Sequence, residues 1–92
     1  MYHLHIMDIS KNAITGLIIV EARIIETVDG VETVGAVERS QVEALEIATK
    51  YDGNTDAWLA RIGREMLERH RLRTAAHTGV EKWKGQRMEI SS

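Results

Sequence analysis

Five arginines crowd one short stretch of the chain: Arg61, Arg64, Arg69, Arg71 and Arg73. Guanidinium groups hold phosphates and carboxylates through paired N–H donors, so such a cluster is equipment for binding an anion. Lys82, Lys84 and Arg87 carry the same character towards the C-terminus. Trp83 stands between the two lysines, where an indole stacks on a base or covers a contact surface. These nine residues are the candidate partner-binding set. The competing reading is a solvated helix face, with Arg69 paired to Glu65 at i,i+4 and later arginines complementing the helix dipole.

Other chemistry is thinner. His3 and His5 leave one face of a strand together, a spacing that can hold a metal, but no third ligand follows, and half-exposed strand histidines are expected. His70 and His77, seven apart, are read the same way. The chain has no cysteine, which removes disulfides, thiol nucleophiles and thiolate metal sites and fits a reducing cytosol. It carries no phosphate-binding glycine loop, no nucleophile elbow and no His-Glu-x-x-His motif. The expectation is a non-enzymatic protein with no cofactor and no metal.

Charge is separated along the sequence. Residues 1–60 hold ten carboxylates against four Lys/Arg, a balance of −6. Residues 61–92 hold eight Lys/Arg against four carboxylates, a balance of +4. The net charge of −2 conceals this dipole, which points to a charged partner: nucleic acid or a protein that handles it. At 43% hydrophobic and 28% charged, the 92 residues read as one small globular domain, 1–92. The opening Met-Tyr-His-Leu-His lacks the regions of a signal peptide, and the apolar run Leu17–Val20 is too short to span a bilayer. A cytoplasmic protein with no membrane contact is expected.

The elements that must position these residues are an α+β set. Tyr2–Ile9 alternates as a strand, Ser10-Lys11-Asn12 offers a turn, and Ile14–Val28 is rich in isoleucine and valine. Asp29-Gly30 is a strong hairpin signal, since a type I′ turn needs positive φ at both central residues. A two-residue loop sets Val28 opposite Val31, Glu26 opposite Thr33, Ile25 opposite Val34, Ile24 opposite Gly35 and Ala22 opposite Val37. One face then carries Val20, Ala22, Ile24, Val28, Val31 and Val37, and the other Glu21, Arg23, Thr27, Glu32 and Glu38. Ser40-Gln41-Val42-Glu43 reads as a capping box opening a helix that ends near Tyr51, at Asp52-Gly53, with Ala44, Leu45, Ile47, Ala48 and Tyr51 as its buried stripe. Asn54-Thr55-Asp56 opens a second helix running to His77, roughly 35 Å long. Trp83–Ile90 offers a short edge strand. The expected fold is an antiparallel three- to four-stranded sheet packed against two helices.

Within the long helix the apolar stripe changes character. Trp58, Leu59, Ile62 and Met66 share one arc, and the next occupants of that arc are Arg69, His70 and Arg73. Either the sheet ends near Met66 and the helix projects beyond it, or the stripe rotates towards Leu72, Ala75 and Ala76. In both cases the five arginines become a solvent-facing basic surface opposed only by Glu65 and Glu68.

The strings Ala22-Arg23-Ile24, Asp29-Gly30, Val34-Gly35-Ala36, the Ser40 helix start and the Arg61-Ile62 helix together resemble small phage anti-CRISPR proteins, most of all inhibitors of type I-F systems. The resemblance covers about residues 20–70. It implies an antiparallel sheet beside two helices. It also implies a protein of the infected bacterial cytoplasm that binds an RNA-guided surveillance complex and obstructs hybridisation of target DNA. No interface residue is carried over, because the second helix here is longer and more basic. Two other readings stand beside it. One is direct nucleic-acid binding through the basic helix 61–73, against which the acidic N-terminal two-thirds weigh by repelling a polyanion. The other is a homodimer joined through an exposed strand edge or helix.

Overall fold

A computed structural model describes residues 1–91. The order of elements is β1 (Tyr2–Lys11), β2 (Leu17–Val28), β3 (Val31–Val34), β4 (Glu38–Glu43), α1 (Ala44–Lys50) and α2 (Thr55–Glu81). All strand pairings are antiparallel, and the architecture is α+β. β2 is the centre of the sheet. β1 lies along one edge of it, while β3 and β4 share the other, end to end.

Local chemistry explains the turns. Asn12 Oδ1 accepts from Ile14 N at 2.9 Å and Thr15 N at 3.1 Å, and Gly16 takes φ +74° to re-enter the sheet. At the hairpin, Asp29 and Gly30 have φ of 51° and 79°, as a type I′ turn demands.

The hairpin register holds from Val28↔Val31 to Ile25↔Val34, and Gly35 N continues it by donating to Ile24 O at 2.8 Å. It then slips by one. Glu38, not Val37, stands opposite Ala22, leaving Ala36 and Val37 against the single residue Arg23. Such a bulge exchanges the faces of everything after it. Glu38 therefore turns from the expected polar face to the helix side, and Val37 is left half exposed.

Downstream of the bulge, Ser40-Gln41-Val42-Glu43 is strand and not the start of a helix. Val42 pairs with Ile18 and is buried, and the ladder closes where Ala44 N donates to Gly16 O at 2.8 Å. Burying a valine is worth about 1.5–3 kcal/mol plus the ladder bonds, more than the roughly 1 kcal/mol of a cap. α1 accordingly starts at Ala44 with Glu43 in the cap position expected for Ser40, three residues later than expected, and with no side-chain cap. It is one short helix that buries only Ile47, with Tyr51 half-buried, while Ala44, Leu45 and Ala48 are exposed. It ends as anticipated: Asp52 and Gly53 take φ of 50° and 76°, and Gly53 N donates to Ile47 O.

α2 begins at the anticipated cap, where Asn54 Oδ1 accepts from Ala57 N at 3.1 Å. The core is a single layer between this helix and the sheet: Val20, Ala22, Ile24 and Val42 below, Ile47 at one end, and Trp58, Ile62 and Met66 above. Gly63 lets the helix settle on β1, for a Cβ there would lie 3.3 Å from Leu4 Cδ2. Past Met66 only Leu67, His70 and Arg73 retain partial cover, and every described residue from Thr74 onward is exposed. The helix thus projects beyond the sheet; its stripe does not rotate onto Leu72, which is exposed. It also runs through Gly79 to Glu81, because an exposed helical glycine costs only about 1 kcal/mol. Trp83–Ile90 forms no strand, so the fourth strand is β4. The projection makes the molecule long and flat, 54 × 43 × 19 Å with a radius of gyration of 18.0 Å, where a compact chain of this length would have about 12 Å.

Candidate interaction surfaces

The arginines of α2 do not form one free basic surface. Arg69 Nε donates to Glu38 Oε1 at 2.5 Å, and the Arg73 guanidinium reaches both oxygens of the same carboxylate, at 3.2 and 3.4 Å. Glu38 is 10% exposed in its side chain and both arginines are about half covered. Desolvation pushes the Glu38 carboxyl up, but the hydrogen bonds and charges of Arg73 and Arg69 outweigh it and hold it below the usual carboxylate range. These two arginines bolt the helix to β4. The expected Arg69–Glu65 pair is absent because Glu65 takes Arg61 instead, at 3.0 Å, while Arg61 also donates to the Tyr51 hydroxyl. Arg71 lies 5.2 Å from the centre of the Tyr2 ring, a cation–π contact.

Beside the bolt lies a second polar contact. The His70 ring fits against the backbone at Gly35, where a Cβ would come within 2.8 Å of Nδ1. It meets Tyr2 edge-on at 6.2 Å between centroids and stands 3.9 Å from a Glu26 carboxylate oxygen. What sequence reasoning missed is Glu38. Its only advance signal was Gly35-Ala36, small residues where a bulge fits.

Of the nine candidate residues, Arg64, Lys82, Lys84 and Arg87 make neither an ion pair nor a cation–π contact among the described residues. Trp83 is 42% exposed in the turn after α2, so it anchors no core. These five are not gathered around one point: Arg64 lies on the packed half of α2, beside β1, and the others follow its projecting end.

A different surface is more coherent. Both helices contribute to one side of the sheet, so the opposite face is bare. Down its centre run Leu17, Ile19, Glu21, Arg23, Ile25 and Thr27 of β2. β1 adds His3, His5, Asp8 and Ser10, and the other edge adds Glu32, Val34, Arg39, Gln41 and Glu43. Ile19, Ile25 and Val34 give it apolar ground, with Asp8, Glu32 and Glu43 around the margin. Arg39 holds Glu21 at 3.2 Å. Arg23, opposite the bulge, has no ion pair among the described residues, and its Nε is buried with no hydrogen-bond partner. His3 and His5 share this face as expected, and no group of three His, Asp or Glu side chains suited to a metal occurs among the described residues.

No family model matches this chain, and no curated protein or solved structure is significantly similar to it. The surfaces themselves must carry the functional argument. The grooves of the molecule are open and shallow. One apolar groove, of about 490 Å³, lies between Ile9, Ile18, Ile47 and Trp58 at the start of α2. No described helix is long and apolar enough to cross a membrane.

Proposed function

We propose that this is a non-enzymatic interaction protein that docks on a protein or ribonucleoprotein machine through the bare face of its sheet. The observation that carries the reading is Arg23: a buried, unpartnered guanidinium nitrogen at the middle of an uncovered face with apolar ground and an acidic margin. A native structure leaves few polar atoms in that condition, and the terminal nitrogens of the same guanidinium, which are not buried and make no ion pair among the described residues, offer donors to a partner's acceptor. Apolar centre and charged rim are also the usual anatomy of a protein–protein contact.

The mixed signs on that face favour a protein surface over bare DNA. So does the engagement of Arg69 and Arg73 by Glu38, which removes two cations from the helix proposed for direct nucleic-acid binding. The resemblance to type I-F inhibitors gives the proposal its specific form. The partner is a CRISPR RNA-guided surveillance complex, whose lysine-rich, DNA-receiving surface would meet Asp8, Glu32 and Glu43, and docking there obstructs hybridisation of the target.

The test is binding of the purified protein to a reconstituted type I-F surveillance complex, with labelled target DNA as competitor. Tight binding that excludes the target, with little affinity for naked DNA, is expected. Retention of naked DNA with a steep salt dependence, and no capture of the complex, would instead establish the basic-helix reading.

A further inference from the structure

The outer edge of β1, a ten-residue strand, pairs with no other strand among the described residues. Natural sheets seldom leave such an edge unprotected, because its free N–H and C=O groups are a template for another strand. Which groups are free follows from the ladder with β2. Before the bulge between Ile6 and Asp8, odd residues bond inward, since Thr27 N donates to Met1 O at 2.8 Å. After it, even residues do, since Asn12 N donates to Leu17 O at 2.9 Å. Antiparallel bonding alternates, so the groups facing outward belong to Tyr2, Leu4 and Ile6, then to Ile9 and Lys11.

Side-chain faces switch at the same point. Tyr2, Leu4 and Ile6 pair with Glu26, Ile24 and Ala22 on the helix side, and Ile9 and Lys11 pair with Val20 and Ile18 on that side too. The bulge therefore makes the two halves of β1 complementary to each other. Turn a second copy through a two-fold axis at the bulge, and Tyr2 meets Lys11 and Leu4 meets Ile9, each pair with its backbone groups facing and its side chains on the helix side. On the other face His3 meets Ser10, and the His5 imidazole meets the Asp8 carboxylate. Ile6 and Met7 cross at the centre. This register uses all ten residues.

We infer that two copies of this chain join edge to edge through β1, in the register that sets residue 2 against residue 11, making one continuous antiparallel sheet. The occupant is a second copy because the strand complements itself in hydrogen-bond phase, in face and in charge. Pairing also covers Ile6, Met7 and Ile9, which are 37%, 44% and 48% exposed in the single chain. The bare face opposite the helices stays open in the dimer, so this inference does not depend on the functional proposal.

Sedimentation of the intact protein tests it, with cysteine pairs to fix the register. The chain has no cysteine, so introduced thiols report without background. A mass twice the 10.4 kDa of one chain is expected. The double variants His5→Cys/Asp8→Cys and His3→Cys/Ser10→Cys should oxidise to covalent dimers. Within one chain positions 5 and 8 are about 10 Å apart along the strand, beyond the roughly 7 Å a disulfide can bridge. His3→Cys/His5→Cys, whose sites stay distant in the dimer, should not cross-link. Ile9→Pro removes an outward N–H without touching the β2 ladder; it should halve the sedimenting mass while circular dichroism stays that of the folded chain. A single-chain mass across the concentration range with no cross-linking of either matched pair overturns the proposal. Cross-linking of the His3/His5 variant overturns the register.

Discussion

Glu38 stands opposite Ala22, one step out of the register that the Asp29-Gly30 turn establishes, and so faces the helix. That single slip puts a carboxylate beneath Arg69 and Arg73, and it accounts for why the apolar stripe of α2 gives way to arginine just past Met66. The stripe ends where the sheet supplies a charge.

Replacing Glu38 with Gln should lower stability by about 1–2 kcal/mol, since two half-covered arginines lose a charged acceptor. Chemical denaturation measures this. The carboxyl is held below its ordinary value of 4.5, so its contribution is complete above that pH and is lost as pH falls through the depressed value. Below about pH 4.5 the gap between wild type and Glu38→Gln should therefore close.

Gly35→Ala should destabilise by roughly 1–3 kcal/mol, the scale of forced overpacking. The new Cβ would meet the His70 ring at 2.8 Å and Ile24 O at 3.2 Å, and the second is backbone that cannot step aside. In a double-mutant cycle, His70→Ala should recover part of that loss, because it removes the closer obstacle.

Met66→Ala should cost about 2–5 kcal/mol, and Leu72→Ala less than about 0.5 kcal/mol beyond helix propensity, although both are large apolar residues on one helix. Met66 is fully buried and Leu72 is 61% exposed. Equal losses in thermal melts would contradict the projection of the distal helix.

Ending the chain at His77 should leave the melting transition within a few degrees of the full chain, because no described residue past Thr74 is covered. Lys82, Trp83, Lys84 and Arg87 leave with that segment. A complex whose affinity survives the truncation docks elsewhere, as the sheet-face proposal requires.

Glu32→Lys and Glu43→Lys should each change stability by less than about 0.5 kcal/mol while slowing association with a lysine-rich partner. Arg23→Ala, which removes the buried unpartnered nitrogen, should be tolerated by the fold and should weaken the complex at least tenfold. Calorimetry and surface plasmon resonance on the same samples separate the two effects.

Much of this protein was written locally. The Asp29-Gly30 turn, the alternation of β2, the Asn54 cap, the Asp52-Gly53 stop and the Trp58–Ile62–Met66 stripe each depend on neighbours within a few residues, and each formed as its own chemistry requires. The absence of cysteine and the split of charge between residues 1–60 and 61–92 are likewise properties of the chain alone. Tertiary structure decided what depends on partners distant in sequence. Ser40-Gln41-Val42-Glu43 had a sound helical signature, and pairing with β2 overrode it, because a buried Val42 and a ladder outweigh a cap. The bulge at Ala36-Val37 could not be read from the hairpin, since one extra residue costs little locally yet reverses every face beyond it. From that reversal came the meeting of Glu38 with Arg69 and Arg73, 31 and 35 residues away, and with it which arginines are fastened and which remain free.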